Sequence, residues 1–160
     1  MFDFRASQGL TKPELYRELV RAADALTEGE PDSIANMANV AALLWEFLPD
    51  VNWSGFYRLV DGELVLGPFV GRPACIRMPL TSGVCGACAA SGKTQLVEDV
   101  RNFPGHIACD AETWSELVVP VIRDGIVNAV IDLDSPLPAR FDTDDQAGIE
   151  ELAKLLSTRI

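Results

Sequence analysis

The sequence predicts an α+β domain: a central antiparallel sheet covered by helices from the two ends of the chain. Three observations carry that expectation. Apolar residues recur at helical spacing between about residues 12 and 48, and again after residue 142. Between these stretches the period becomes that of strands, and two Asp-Gly pairs, Asp61-Gly62 and Asp124-Gly125, each join two apolar runs in the manner of a hairpin turn. No repeat or change of composition divides the 160 residues, so one domain is expected over 1–160, with 1–10 a flexible N-terminal arm.

Each element has its own signal. Thr11-Lys12-Pro13-Glu14 is a helix start, a capping threonine with a glutamate three residues on, and Leu15, Leu19, Ala22 and Leu26 continue the helix to about Thr27. Gly29-Glu30-Pro31-Asp32 breaks it. A second helix is expected from Ser33 to Leu48, ended by Pro49-Asp50. Strands follow at Trp53–Val60 and Glu63–Gly67, then a short helix at Gly86–Ser91 and a short strand at Thr94–Glu98. The runs Glu116–Ile122 and Ile126–Asp134 read as a covered central hairpin, in which Pro120 demands a bulge or an edge because it cannot donate to a ladder. Asp142-Thr143 caps a last helix carrying Ile149, Leu152, Leu155 and Leu156.

Composition narrows the function. A formal net charge of -11 disfavours nucleic acid and anionic membranes as partners. No apolar run approaches the roughly 20 residues of a membrane span, and Met1–Arg5 lacks the basic region and apolar core of a secretory signal. The expected location is cytoplasmic, where clustered cysteines serve catalysis, redox cycling or metal binding rather than a permanent disulfide framework.

All four cysteines, Cys75, Cys85, Cys88 and Cys109, and the single histidine, His106, fall between residues 71 and 110. The turn-formers around them predict thiols on loops. Cys85-Gly86-Ala87-Cys88 is a C-x-x-C, yet a structural zinc site would show a second close pair, and a thioredoxin-type site would follow a strand in a βαβ unit. Neither context is present. Cys88 reads as a packing residue. Cys109 has the setting of a nucleophile, because the turn Pro104-Gly105-His106-Ile107-Ala108 before it offers successive backbone N–H groups that favour a thiolate or a bound anion. Asp132 and Asp134 are two apart on a strand and so leave one face, and Glu116 begins the partner strand. Three acids at one end of a hairpin call for a cation, a metal or a shared proton, unless solvent covers them. Trp53 and Tyr57, four apart on a strand, form an aromatic wall or simply core.

Gly71-Arg72-Pro73-Ala74-Cys75, Gly83-Val84-Cys85-Gly86, Phe103-Pro104-Gly105-His106-Ile107-Ala108-Cys109-Asp110 and Ser115-Glu116 together resemble the motif series of the free methionine-(R)-sulfoxide reductases, which are single GAF-domain enzymes. The resemblance runs from about Trp53 to Asp134, and the terminal helices fit a GAF-like domain. It implies reduction of free L-methionine (R)-sulfoxide, with Cys109 as the nucleophile that becomes a sulfenic acid. Cys75 or Cys85 would resolve this acid to a disulfide, and thioredoxin would reduce the disulfide. It further implies that Glu116, Asp132 and Asp134 bind the substrate ammonium and help activate the sulfoxide oxygen. Trp53 and Tyr57 would hold the methyl–sulfur end, and backbone N–H groups near Ile107 and Ala108 the carboxylate. Neither cofactor nor metal is implied. A homodimer fits the arm and the habit of GAF domains. Cys88 departs from the family pattern and leaves the choice of resolving thiol open. The rival readings are a GAF sensor that binds a small ligand or responds to redox state without turnover, and a zinc-bound structural protein.

Overall fold

The computed structural model describes residues 4–106 and 110–160. Helix α1 (Lys12–Thr27) starts where the capping pattern placed it: the backbone N–H and hydroxyl of Thr11 donate to Glu14 at 2.9 and 2.7 Å. Helix α2 (Ser33–Phe47) begins after Asp32, whose carboxylate accepts from the Ala35 N–H at 2.8 Å. The strands are β1 (Trp53–Val60), β2 (Glu63–Gly71), β3 (Arg77–Pro79), β4 (Gln95–Val97), β5 (Ser115–Arg123) and β6 (Ile126–Ser135). Helix α3 (Gly83–Ser91) lies between β3 and β4, and α4 (Thr143–Leu156) closes the chain. Asp142 accepts from the Asp144 and Asp145 N–H groups at 2.9 and 3.2 Å as the cap of α4.

The six strands pair antiparallel in the order β3-β2-β1-β6-β5-β4. In both expected hairpins the Asp-Gly pair takes positive φ at each residue, 50° and 83° at Asp61 and Gly62, 52° and 78° at Asp124 and Gly125. That backbone matches the right-handed twist of the flanking strands. Pro120 lies two residues past the last β5–β4 pairing, at Val118, where β5 has become an edge, and the ladder shifts register just beyond it. Pro68 is accommodated in the same way. The β1–β2 register shifts around it, and β3 pairs with β2 only up to Val65.

Helices α1, α2 and α4 cover one face of the sheet and α3 the other. On the first face Leu19, Leu44, Phe56, Leu117, Ile131, Leu133, Ile149 and Leu152 are fully buried in one core. Each such side chain contributes about 2 kcal/mol of burial. Gly148 lets α4 sit directly on the Tyr16 ring of α1; a Cβ there would stand 2.1 Å from Tyr16 Cγ. The Tyr16 hydroxyl then donates to buried Asp145 at 2.8 Å, beside Arg140 and Lys12 at 2.9 and 2.6 Å. On the second face Trp53, Tyr57, Leu64, Val118 and Val130 pack with Val84 and Cys88 of α3. No helix among the described residues is long and apolar enough to cross a membrane.

Some expected boundaries move. Strand β2 runs four residues beyond Gly67, and α3 starts three residues before Gly86, at Gly83 with φ 73°. Cys85 therefore sits in the same helix as Cys88 rather than on a loop before it, which corrects the expectation drawn from the surrounding turn-formers. The strand β3 was not expected. Its three residues are held by pairing to Glu63–Val65, a contact that leaves no periodic pattern.

Candidate active site

Strand register assembles the site. Asp134 of β6 lies opposite both Trp53 of β1 and Glu116 of β5, while Asp132 lies opposite Gly55 and Val118. Alternation along each strand then puts Trp53, Tyr57, Glu116, Asp132 and Asp134 on one face, the face that carries α3. The first turn of α3 brings Cys85 over them, with its Sγ 3.9 Å from Glu116 Oε1. Together they bound a cleft of about 40 Å³, which Arg72, His106, Asp110 and Thr113 help to enclose.

The aromatic wall is built in layers. Trp53 stacks on Tyr57 with ring centroids 5.8 Å apart, and on Phe69 of β2 at 5.2 Å. Gly55 permits the second contact, since a Cβ there would meet Phe69 Cβ at 2.4 Å. The polar tips of both site aromatics hold the segment after β2: Trp53 Nε1 donates to the Arg72 carbonyl at 3.2 Å, and the Tyr57 hydroxyl to the Cys75 carbonyl at 3.1 Å. Arg72 itself bridges to Asp110 and Glu112, at 3.6 and 3.1 Å.

Glu116 and Asp132 are only 7% and 6% exposed. Burial pushes the Glu116 and Asp134 carboxyls well above the usual range, with the charge of Asp132 adding to the effect. It raises Asp132 to about 7. Burial, then the charges of Asp132 and Glu116, push the Cys85 thiol up. The result is a set of acids biased toward their protonated forms, a bias that a cation entering among them would reverse. Asp132 Oδ1 and Thr113 Oγ1 are buried without a hydrogen-bond partner. The Cys85 sulfur and the carboxylate oxygens of Glu116 and Asp132 all lie within 4.8 Å of one another.

Of the expected residues, Trp53, Tyr57, Cys85, Glu116, Asp132 and Asp134 come together in the cleft. Cys75 lies on the segment held by Tyr57 and is engaged in a disulfide. Cys85 and Cys88 are buried free thiols, and the Cys88 sulfur packs 3.6 Å from the Val118 carbonyl, as a packing residue would. Ile107, Ala108 and Cys109 lie outside the described residues. His106 lines the cleft, and burial lowers its pKa. Arg72, Asp110 and Thr113 were not expected as individual site residues. Arg72 and Asp110 stand in the motif segments, and their pairing across the cleft is a signal that only the fold could supply. Thr113 leaves no trace in the sequence.

Residues 35–160 match the GAF domain family. An Escherichia coli protein named free methionine-R-sulfoxide reductase is 46% identical over 92% of this chain and 89% of its own. The protein of the same name from Saccharomyces cerevisiae is 41% identical over 94% and 88%. The X-ray structure of free methionine-R-sulfoxide reductase from Neisseria meningitidis, in complex with its substrate, superposes with a TM-score of 0.94 at 42% identity, over 99% of this chain and 95% of that one.

Proposed function

The chain belongs to the GAF-domain family of free methionine-R-sulfoxide reductases, and from that premise we propose that it reduces free L-methionine (R)-sulfoxide to L-methionine at the expense of thiols. The observation that carries the proposal is the single sheet face on which stacked Trp53 and Tyr57 stand beside two buried carboxyl groups, Glu116 and Asp132, and the half-buried Asp134. A free amino acid sulfoxide matches that face at both ends. Its ammonium supplies the cation that Glu116, Asp132 and Asp134 lack, and its methyl–sulfur end lies on the aromatic rings. Backbone N–H groups at Ile107 and Ala108 take the carboxylate. A peptide-bound methionine sulfoxide brings no ammonium and would leave buried acids without a partner, which discriminates strongly against it.

In this reading Cys109 attacks the sulfoxide sulfur. A protonated acid of the cluster donates to the sulfoxide oxygen, the raised carboxyls being suited to hold that proton. Oxygen passes to the Cys109 sulfur, methionine leaves, and condensation of the sulfenic acid with a second thiol expels water and forms a disulfide. Cys75 is the favoured second thiol, because it is disulfide-bonded while Cys85 and Cys88 are free. Thioredoxin then reduces the disulfide in the cytoplasm, and the whole of 1–160 acts as one domain.

The test is methionine release from free (R)- and (S)-methionine sulfoxide with dithiothreitol, then with thioredoxin. Wild type should turn over the R form alone. Cys109→Ser should release none, and Cys75→Ser should release about one methionine per chain before stalling with thioredoxin. Absence of turnover of either form by wild type would sink the proposal in favour of a ligand-binding GAF sensor.

A further inference from the structure

We propose that Cys85, Glu116 and Asp132 form a binding site for a thiophilic divalent cation of the Zn²⁺ class, and that the bound ion closes the substrate cleft. One sulfur and two carboxylate oxygens, each from a buried side chain, lie within 4.8 Å of one another. Ligands on one tetrahedral Zn²⁺ stand about 3.3–3.8 Å apart, given Zn–S near 2.3 Å and Zn–O near 2.0–2.2 Å. The three side chains thus need approach by only about an ångström, and the Cys85–Glu116 pair is already at 3.9 Å. A second feature points to a ligand independently of the clustering. Asp132 is 94% buried, and its Oδ1 has no partner, an arrangement that costs stability unless something binds there.

The donor set selects the metal. A thiolate with two carboxylates suits Zn²⁺, Co²⁺ or Cd²⁺, whereas Mg²⁺ and Ca²⁺ take oxygen ligands. Binding releases protons, because the Cys85 S–H and the protonated carboxyls must give them up to coordinate. The fourth position faces the cleft and is filled by water. This donor set differs from the four-cysteine or cysteine–histidine sites that the C-x-x-C of Cys85 and Cys88 would suggest. Here Cys88 points instead at the Val118 carbonyl. The inhibitory consequence rests on the reductase reading, since it requires the ammonium of the substrate to sit among the same acids; the binding itself does not.

The experiment is a Co²⁺ titration of the reduced full chain, followed by absorbance. Expected is one Co²⁺ per chain with a near-ultraviolet sulfur-to-cobalt band that Zn²⁺ abolishes by displacement. The band should persist in Cys75→Ser and Cys109→Ser and vanish in Cys85→Ser. Asp132→Asn should keep the band but weaken Co²⁺ binding by at least the tenfold typical of a lost outer-sphere partner, which decides the matter should Cys85→Ser fold poorly. Absence of binding, a band that survives in Cys85→Ser, or binding indifferent to Asp132→Asn would overturn the site. In a separate arm, Zn²⁺ should raise the KM for methionine sulfoxide without lowering kcat. A chain that shows the cobalt band but no turnover retains the metal site and loses the reductase reading; a noncompetitive effect would remove the cleft-closing role.

Discussion

Burial lifts Asp132 from an ordinary carboxyl value of 3.8 to about 7, against hydrogen bonds to Cys85 and Glu116 that pull it back down. The sign of the consequence follows from linkage. Between those two values the folded chain holds a proton that the unfolded chain has released, so stability falls as pH rises through the window and levels off above it. Glu116 and Asp134, also raised, act in the same direction. Melting temperature should therefore decline from the acid side of the window to its upper end. Asp132→Asn, which carries no titrating proton, should flatten the decline; an unchanged slope in that variant would show that the cluster does not govern it. At this scale much of the site was legible, because two acids two residues apart in an apolar run must share a face. Arg72, Asp110 and Thr113 were not, since loops bring them to the cleft and loop closure leaves no period in the sequence.

Two glycines test how the elements divide labour. In α4, Gly148→Ala would place a methyl 2.1 Å from the Tyr16 ring and force α1 and α4 apart. Overpacking of this kind costs about 1–3 kcal/mol, or a fall of about 2–12 °C in melting temperature for a chain of this length. Since that contact lies on the helix-covered face, KM for the sulfoxide should stay within about twofold of wild type. Gly55→Ala would meet the backbone of Phe69 at 2.8 Å on the other face and disturb the Trp53–Phe69 stack, so it should lower stability and raise KM together. Thermal melts and steady-state kinetics on the pair would reveal whether the two faces are separable; a Gly148→Ala protein as impaired in KM as Gly55→Ala would show that they are not. The hairpins and terminal helices could be read because their turns and caps use residues chosen for backbone geometry. The start of helix α3 could not be read because Gly83–Ser91 is built from small residues with no polar face to set a period. Strand β3 escaped notice because three residues are too few for alternation.

Across the whole molecule, a formal net charge of -11 on 160 residues sets acidic groups against one another over the surface. Self-repulsion of this kind is screened within about 8 Å at physiological ionic strength. Raising salt from near zero to about 0.15 M should increase melting temperature; a flat or falling response would mean that local ion pairs, such as Arg140 with Asp145, outweigh the overall repulsion. The placement of the tryptophans gives the molecule an optical property of its own. Trp45 and Trp114 are 41% and 38% exposed, whereas Trp53 is 3% exposed and lies against the segment that carries Cys75. Emission from Trp53 should be blue-shifted and shielded from iodide, while the other two are quenched. Disulfides accept an electron from an excited indole more readily than thiols do, so the shielded component should brighten on reduction and dim again on oxidation. Each turn of the proposed thiol–disulfide cycle would then be visible as a change in native fluorescence, with no label attached.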